Sequence, residues 1–332
     1  MHKKIDGLNI VLILLSLLIA VKIPFKLFLF SYAILGPLHY LTEINWLKEK
    51  KYFIKSNSKW IRVFTIFTAL AVLYPLYKLI DFGFNNSIDE TIRLIFGKRK
   101  ILILTAFIFS IGLIFFKEKL HLILTLIIGF LISISLYYFI PKWIFFIGLF
   151  LPTIVHVYVF TLLFMIYGSK KSNSKLGYYG SALLLLIPFV IFFIEIDVYS
   201  YIVSPETIAI YNESNFLSLN RIMTGLFDGF NNGQFFVLSP VGIKIQIFIA
   251  FAYTYHYLNW FSKTSIIGWR KSLTTKKAIY ILVIWMAAIG IYFYDYYTGL
   301  LALYVLSILH VFLEFPLNII TIKEIFILKK TK

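Results

Sequence analysis

The sequence predicts an all-α, polytopic membrane protein, a single integral helix bundle of about ten spans covering residues 1–332. Three observations predict it. Sixty per cent of the residues are hydrophobic and 14% charged, with a mean hydropathy of +0.87, so there is too little polar surface to face water all round. Apolar runs long enough to cross about 30 Å of hydrocarbon recur along the chain. These runs are apolar on every side, without the period-two alternation that the strands of a membrane barrel require.

The runs lie near 7–22, 25–44, 60–80, 101–116, 119–140, 143–168, 178–197, 243–261, 277–295 and 298–322. The first follows Met-His-Lys-Lys like a secretion signal. No small-residue cleavage site follows it and a second run begins at once, so it is expected to persist as a helix. The fourth and fifth are divided only by Lys117-Glu118-Lys119. With ten spans and both termini cytoplasmic, 22 of the 32 Lys and Arg fall on the inner side, the asymmetry that orients membrane proteins. Lys98-Arg99-Lys100 is the exception and is placed outside. Trp46, Trp60, Trp143, Trp260 and Trp269 sit near span ends, as interfacial rings do. Cytoplasmic loops resting on an anionic leaflet account for the net charge of +17 without a nucleic-acid partner. The expected location is the inner (cytoplasmic) cell membrane.

The segment 198–242 differs in kind. It is rich in Asn, Ser and Gly, holds Arg221 as its one cation, and is expected to be an external loop and a candidate lid. There are no cysteines, which excludes disulfides, thiolate metal sites and Cys nucleophiles. Gly-rich phosphate loops, Ser/His/Asp order and the HExxH pattern are absent too. HYLTEINW (39–46) and HYLNWF (256–261) look alike but are too short to establish a duplication.

Four histidines stand alone in separate apolar runs: His39, His156, His256 and His310. An imidazole at membrane depth needs a partner, and ionisable groups there are functional candidates. All four fall in spans that run from outside to inside. Counted to the first inner lysine of each span, they lie roughly 10 to 21 Å from the inner boundary, so they can share one layer. Glu43 follows His39 and Glu314 follows His310 at the i,i+4 spacing, which puts each pair on one helix face. No Lys or Arg lies within the turns around Glu314 to neutralise it, which points to a metal cation. Asn259, three residues after His256, is a candidate to orient that ring or bind a substrate oxygen. His121 and His2 fit an interfacial place. Against all this stands the plain alternative that each imidazole bonds a neighbouring helix carbonyl and only packs.

At these residues the chain resembles the bacterial and archaeal membrane β-carotene oxygenases of the Brp/Blh type. Gly36-Pro37-Leu38-His39 with Glu43 is similar to that family's first signature, G-x-x-H-x-x-x-D. Tyr255-His256 resembles a later aromatic-His pair, Leu309-His310 a late leucine-rich His segment, and His156 takes the place of the second histidine. The chain departs from the family at Tyr40, where the family has glycine, and at Trp260, where it tends to have another histidine. The resemblance implies an all-helical protein whose four histidines hold non-haem Fe(II), or another divalent metal, and which cleaves a long apolar lipid such as a carotenoid with O₂. Glu43 and Glu314 would then orient the imidazoles. Two other classes fit the same residues: a haem protein with axial histidine pairs, and a transporter using the histidines and glutamates as a proton relay.

Overall fold

The computed structural model describes residues 2–51, 60–80 and 86–327. Secondary structure among them is helical apart from one isolated bridge, Asn231 with Gln234. In chain order the helices are α1 (His2–Lys22), α2 (Pro24–Glu49), α3 (Ile61–Ile80), α4 (Asn86–Phe96), α5 (Arg99–Phe115), α6 (Lys119–Phe139) and α7 (Pro141–Ser172). They continue with α8 (Lys175–Phe193), α9 (Pro205–Glu213), α10 (Leu217–Leu226), α11 (Pro240–Ser262), α12 (Thr275–Tyr294) and α13 (Tyr296–Ile327). Each predicted apolar run falls on one of these helices, except that the run 178–197 continues past the end of α8 at Phe193. Among the described residues seven, α1, α2, α6, α7, α8, α12 and α13, are long and apolar enough to cross a membrane.

The breaks follow local chemistry. Pro24, Pro141, Pro205 and Pro240 open helices at the first position, where the missing N–H costs nothing. Ser174, Ser204, Ser239 and Thr274 each accept a backbone N–H of the following turn, satisfying an otherwise orphaned donor. Asn173 closes α7 in the left-handed region at φ 49°, a conformation asparagine tolerates.

Helix α11 sits at the centre, buried along most of its length and packed against α1, α2, α7, α8 and α10. It is less apolar than the outer helices because tyrosines, Gln246, Thr254, His256 and Asn259 lie along it. A helix enclosed by protein can carry such groups, provided they find partners. Ser31 of α2 bonds Thr254 at 2.7 Å, and Gln246 donates to the Tyr211 hydroxyl at 2.7 Å. Asn220 donates to Gly242 O at 2.9 Å, so α9 and α10 of the 198–242 segment are fastened to α11 by buried polar contacts.

Two helices depart from α geometry. Residues Ser31–Leu35 of α2 and Leu151–Phe160 of α7 are π-helical, and Thr153 takes non-helical angles (φ −113°, ψ −105°). Such insertions occur often at functional sites. One of these lies just before His39 and the other contains His156.

Candidate metal centre

The four predicted histidines meet. His39 comes from α2, His156 from α7, His256 from α11 and His310 from α13, and each is at most 6% exposed. The Nε2 atoms of His39 and His256 are 3.1 Å apart, as are those of His156 and His310. Ring centres lie 4.7 to 5.4 Å apart for the pairs 39–256, 39–310, 156–256 and 156–310. One ligand atom each from His39, His156 and His256 falls within 4.8 Å of the others, and the same holds for His39, Glu43 and His310. Two nitrogens at about 2.1 Å from one ion stand about 3.0 Å apart at a right angle and about 3.4 Å apart at the tetrahedral angle. The observed 3.1 Å lies between.

The outer nitrogens of His256 and His310 explain why their Nε2 atoms point inward. Thr161 Oγ1, one turn beyond His156 on α7, donates to Val157 O at 2.9 Å and lies 2.8 Å from His256 Nδ1. With its proton committed, the hydroxyl accepts from Nδ1–H. Leu306 O, 3.2 Å from His310 Nδ1, can only accept. Both rings are therefore held with Nδ1 protonated and an Nε2 lone pair turned to the centre, the tautomer a metal needs. Glu314 Oε2 stands 3.2 Å from His156 Nδ1, a charge contact without the alignment of a hydrogen bond. His156 Nε2 and His310 Nε2 face each other at 3.1 Å; with His156 also protonated at Nδ1 no proton would lie between them, an arrangement that a shared cation stabilises.

The carboxyl groups close the inner side. Glu43 Oε2 is 2.9 Å from His39 Nε2, and the Glu314 carboxyl lies against Glu43 and Asn318. Both glutamates are at most 3% exposed. No Lys or Arg forms an ion pair with either among the described residues. Two buried carboxyls need a proton or a cation.

Several expectations are corrected in detail. Glu314 does not back the histidine of its own helix; it reaches across to His156, because His310 Nδ1 turns to Leu306 O one turn back. Glu43 approaches His39 on the Nε2 side, the side of a ligand, and His39 Nδ1 has no hydrogen-bond partner among the described residues. Thr161, not Asn259, orients His256. Asn259 is buried, with no hydrogen bond to its Oδ1 among the described residues. His121 is half exposed and pairs with Glu118 at 3.1 Å, away from the cluster.

Around the imidazoles stands an aromatic shell. Tyr40 stacks on His310 at 4.3 Å and bonds Tyr257 at 3.0 Å. Trp260 packs 5.5 Å from His39 and donates to Thr42 at 2.9 Å. Gly36 makes room for the tyrosine pair: a Cβ there would stand 3.1 Å from the Tyr40 hydroxyl and 3.2 Å from that of Tyr257. The likeness of HYLTEINW and HYLNWF thus has a counterpart in space. The two His-Tyr pairs face one another, and Trp46 lies 5.5 Å from Trp260.

No protein-family model, curated protein or solved structure matches the chain.

Proposed function

We propose that this protein is a membrane-embedded, metal-dependent oxygenase, with His39, His156, His256 and His310 as ligands of one ion, most simply Fe(II). The observation that carries the reading is the pair of inward Nε2 lone pairs of His256 and His310, fixed by Thr161 and Leu306, in a buried layer shared with His39, His156 and two carboxyl groups. All-nitrogen and carboxylate donors suit iron, manganese or zinc. Iron with an open position supplies O₂ activation. The protein's own share is to hold the imidazoles in one tautomer, exclude water through the Tyr40, Tyr257 and Trp260 shell, and admit a substrate that never leaves the bilayer. The carotenoid expected from the family resemblance is one substrate of that kind, with Glu43 and Glu314 setting the charge of the site and Asn259 a candidate for a substrate oxygen.

The test is oxygen uptake. Protein loaded anaerobically with Fe(II), in nanodiscs carrying β-carotene or a membrane lipid extract, is expected to consume O₂ and lipid together. Consumption by chelated protein at the same rate, or none with any lipid, would remove the oxygenase reading.

A second reading has its own supporting observation. If Glu314 is protonated it can donate to His156 Nδ1, His156 Nε2–H to His310 Nε2, and His310 Nδ1–H to Leu306 O. That chain, complete once the 3.2 Å contact of Glu314 with His156 aligns, is what a proton relay in a transporter needs. It predicts no metal uptake, which separates the two.

For topology we propose ten spans in the inner membrane with both termini and the 169–176 turn cytoplasmic, and the 198–242 segment outside as a cover over the site. Accessible-cysteine labelling of intact cells is expected to reach 198–242 and not 169–176. Labelling of 198–242 only after lysis would reverse the orientation.

A further inference from the structure

A cavity of about 170 Å³ touches the histidine layer through His156 and His310, far more than the roughly 10–15 Å³ that one water needs. Five tyrosines, 32, 40, 253, 257 and 304, form much of its wall. Both π-helical segments border it, through Tyr32 and through Pro152 and Thr153. The lining residues of α7 and α13 lie mostly N-terminal to their histidines, so the cavity occupies the opposite side of the layer from Glu43 and Glu314, which lie one turn beyond His39 and His310.

Arg99, at the start of α5, also lines this cavity. Its guanidinium stands 5.6 Å from the ring centre of Tyr304, which is six residues, about 9 Å along α13, before His310. Arg99 has no hydrogen bond to an acceptor and no ion pair among the described residues. Its neighbours are engaged elsewhere: Lys98 donates to the Tyr138 hydroxyl at 2.9 Å, and the Lys100 ammonium sits 3.9 Å from the Phe145 ring centre. Of the three cations that the positive-inside pattern left unexplained, Arg99 is the one that lines the cavity, and it is exposed. A free guanidinium fork is shaped for a carboxylate or phosphate, and a hydrocarbon gains nothing from it.

We infer that the cavity takes an amphiphile with an anionic head, a carboxylate or a phosphate, which Arg99 binds at the mouth while the tyrosine-lined wall leads the chain toward His156 and His310. This narrows the substrate class of the proposed oxygenase and rests on that reading only for what happens to the chain once bound. A pure carotene hydrocarbon would leave Arg99 unused.

Binding to chelated, metal-free protein in neutral detergent tests it. The fluorescent fatty acid cis-parinarate is expected to bind saturably, and its methyl ester at least about tenfold more weakly. Oleate or oleoyl lysophosphatidate should displace it and oleyl alcohol should not; the stronger of the two displacers identifies the head group. Arg99→Gln should weaken the acid about tenfold and leave the ester unchanged, Arg99→Lys should keep part of the difference, and Lys98→Gln all of it. Equal binding of acid and ester to the unaltered protein overturns the inference, whether or not Arg99→Gln folds. So does full discrimination in Arg99→Gln. Because no metal is present in this assay, a protein that selects the acid yet never takes up metal would sink the oxygenase reading and leave this one standing.

Discussion

Replacing His256 or His310 by alanine is expected to lower metal affinity by more than about 100-fold while the protein still inserts and folds. The two effects separate because their energies differ. Hydrogen bonds between membrane helices average only about 0.6 kcal/mol in measured cycles, so losing one contact does not dismantle a bundle of this size. Loss of even an outer partner of a metal ligand costs about 10- to 100-fold in affinity, and loss of the ligand itself costs more. His121→Ala, half exposed beside Glu118, should change neither quantity. Metal content and detergent-resistant folding, measured on the same preparations, check this. Full metal in both His256→Ala and His310→Ala would make these histidines structural, and damage from His121→Ala as large as theirs would mean that the site lies elsewhere.

The glutamate pair makes a prediction of opposite sign in the two states. Glu43→Gln or Glu314→Gln should weaken metal binding about 10- to 100-fold and yet raise the thermal stability of chelated protein. Without a cation, Glu43 and Glu314 set two buried carboxyls against each other, and one of them must hold a proton. An amide relieves that conflict while keeping the shape. A gain of about 1 kcal/mol corresponds to roughly 1–2 °C in a chain of 332 residues. Thermal unfolding with and without chelator checks it. If both substitutions destabilise the chelated and the loaded protein alike, the carboxyls serve packing, and the cation is not what they answer to.

Much of the site was legible in the sequence for one physical reason. A histidine in an apolar run is expensive unless partnered, so His39, His156, His256 and His310 announced themselves, and the common direction of their spans predicted a shared layer. The structure brings all four together. What the sequence concealed was the pairing across helices. The i,i+4 rule joined Glu314 to His310, because spacing along one helix says nothing about how neighbouring helices rotate; in the fold Glu314 turns to His156. Thr161 was missed because a threonine in a membrane helix usually bonds its own i−4 carbonyl, as this one does with Val157. Only its second lone pair meets His256. The repeated His-Tyr pairs were visible at 39–40 and 256–257, but their facing arrangement depends on the packing of α2 against α11.

The fold shows the same division. Every apolar run lies on a helix for most of its length, whereas the burial of α11 could not be read from hydropathy, since a helix enclosed by others looks less apolar than one facing lipid. The π-helical turns at 31–35 and 151–160 left no sequence mark beyond Pro152, and they shape the cavity wall next to the histidines.

The most direct measurement is X-ray absorption at the metal edge of protein purified intact and titrated with Fe(II). About one ion per chain is expected, with three or four imidazole nitrogens at roughly 2.0–2.2 Å and the outer-ring scattering that imidazole gives. A folded protein that takes up no ion, or one whose ion is surrounded by oxygen with no imidazole signature, would contradict this expectation.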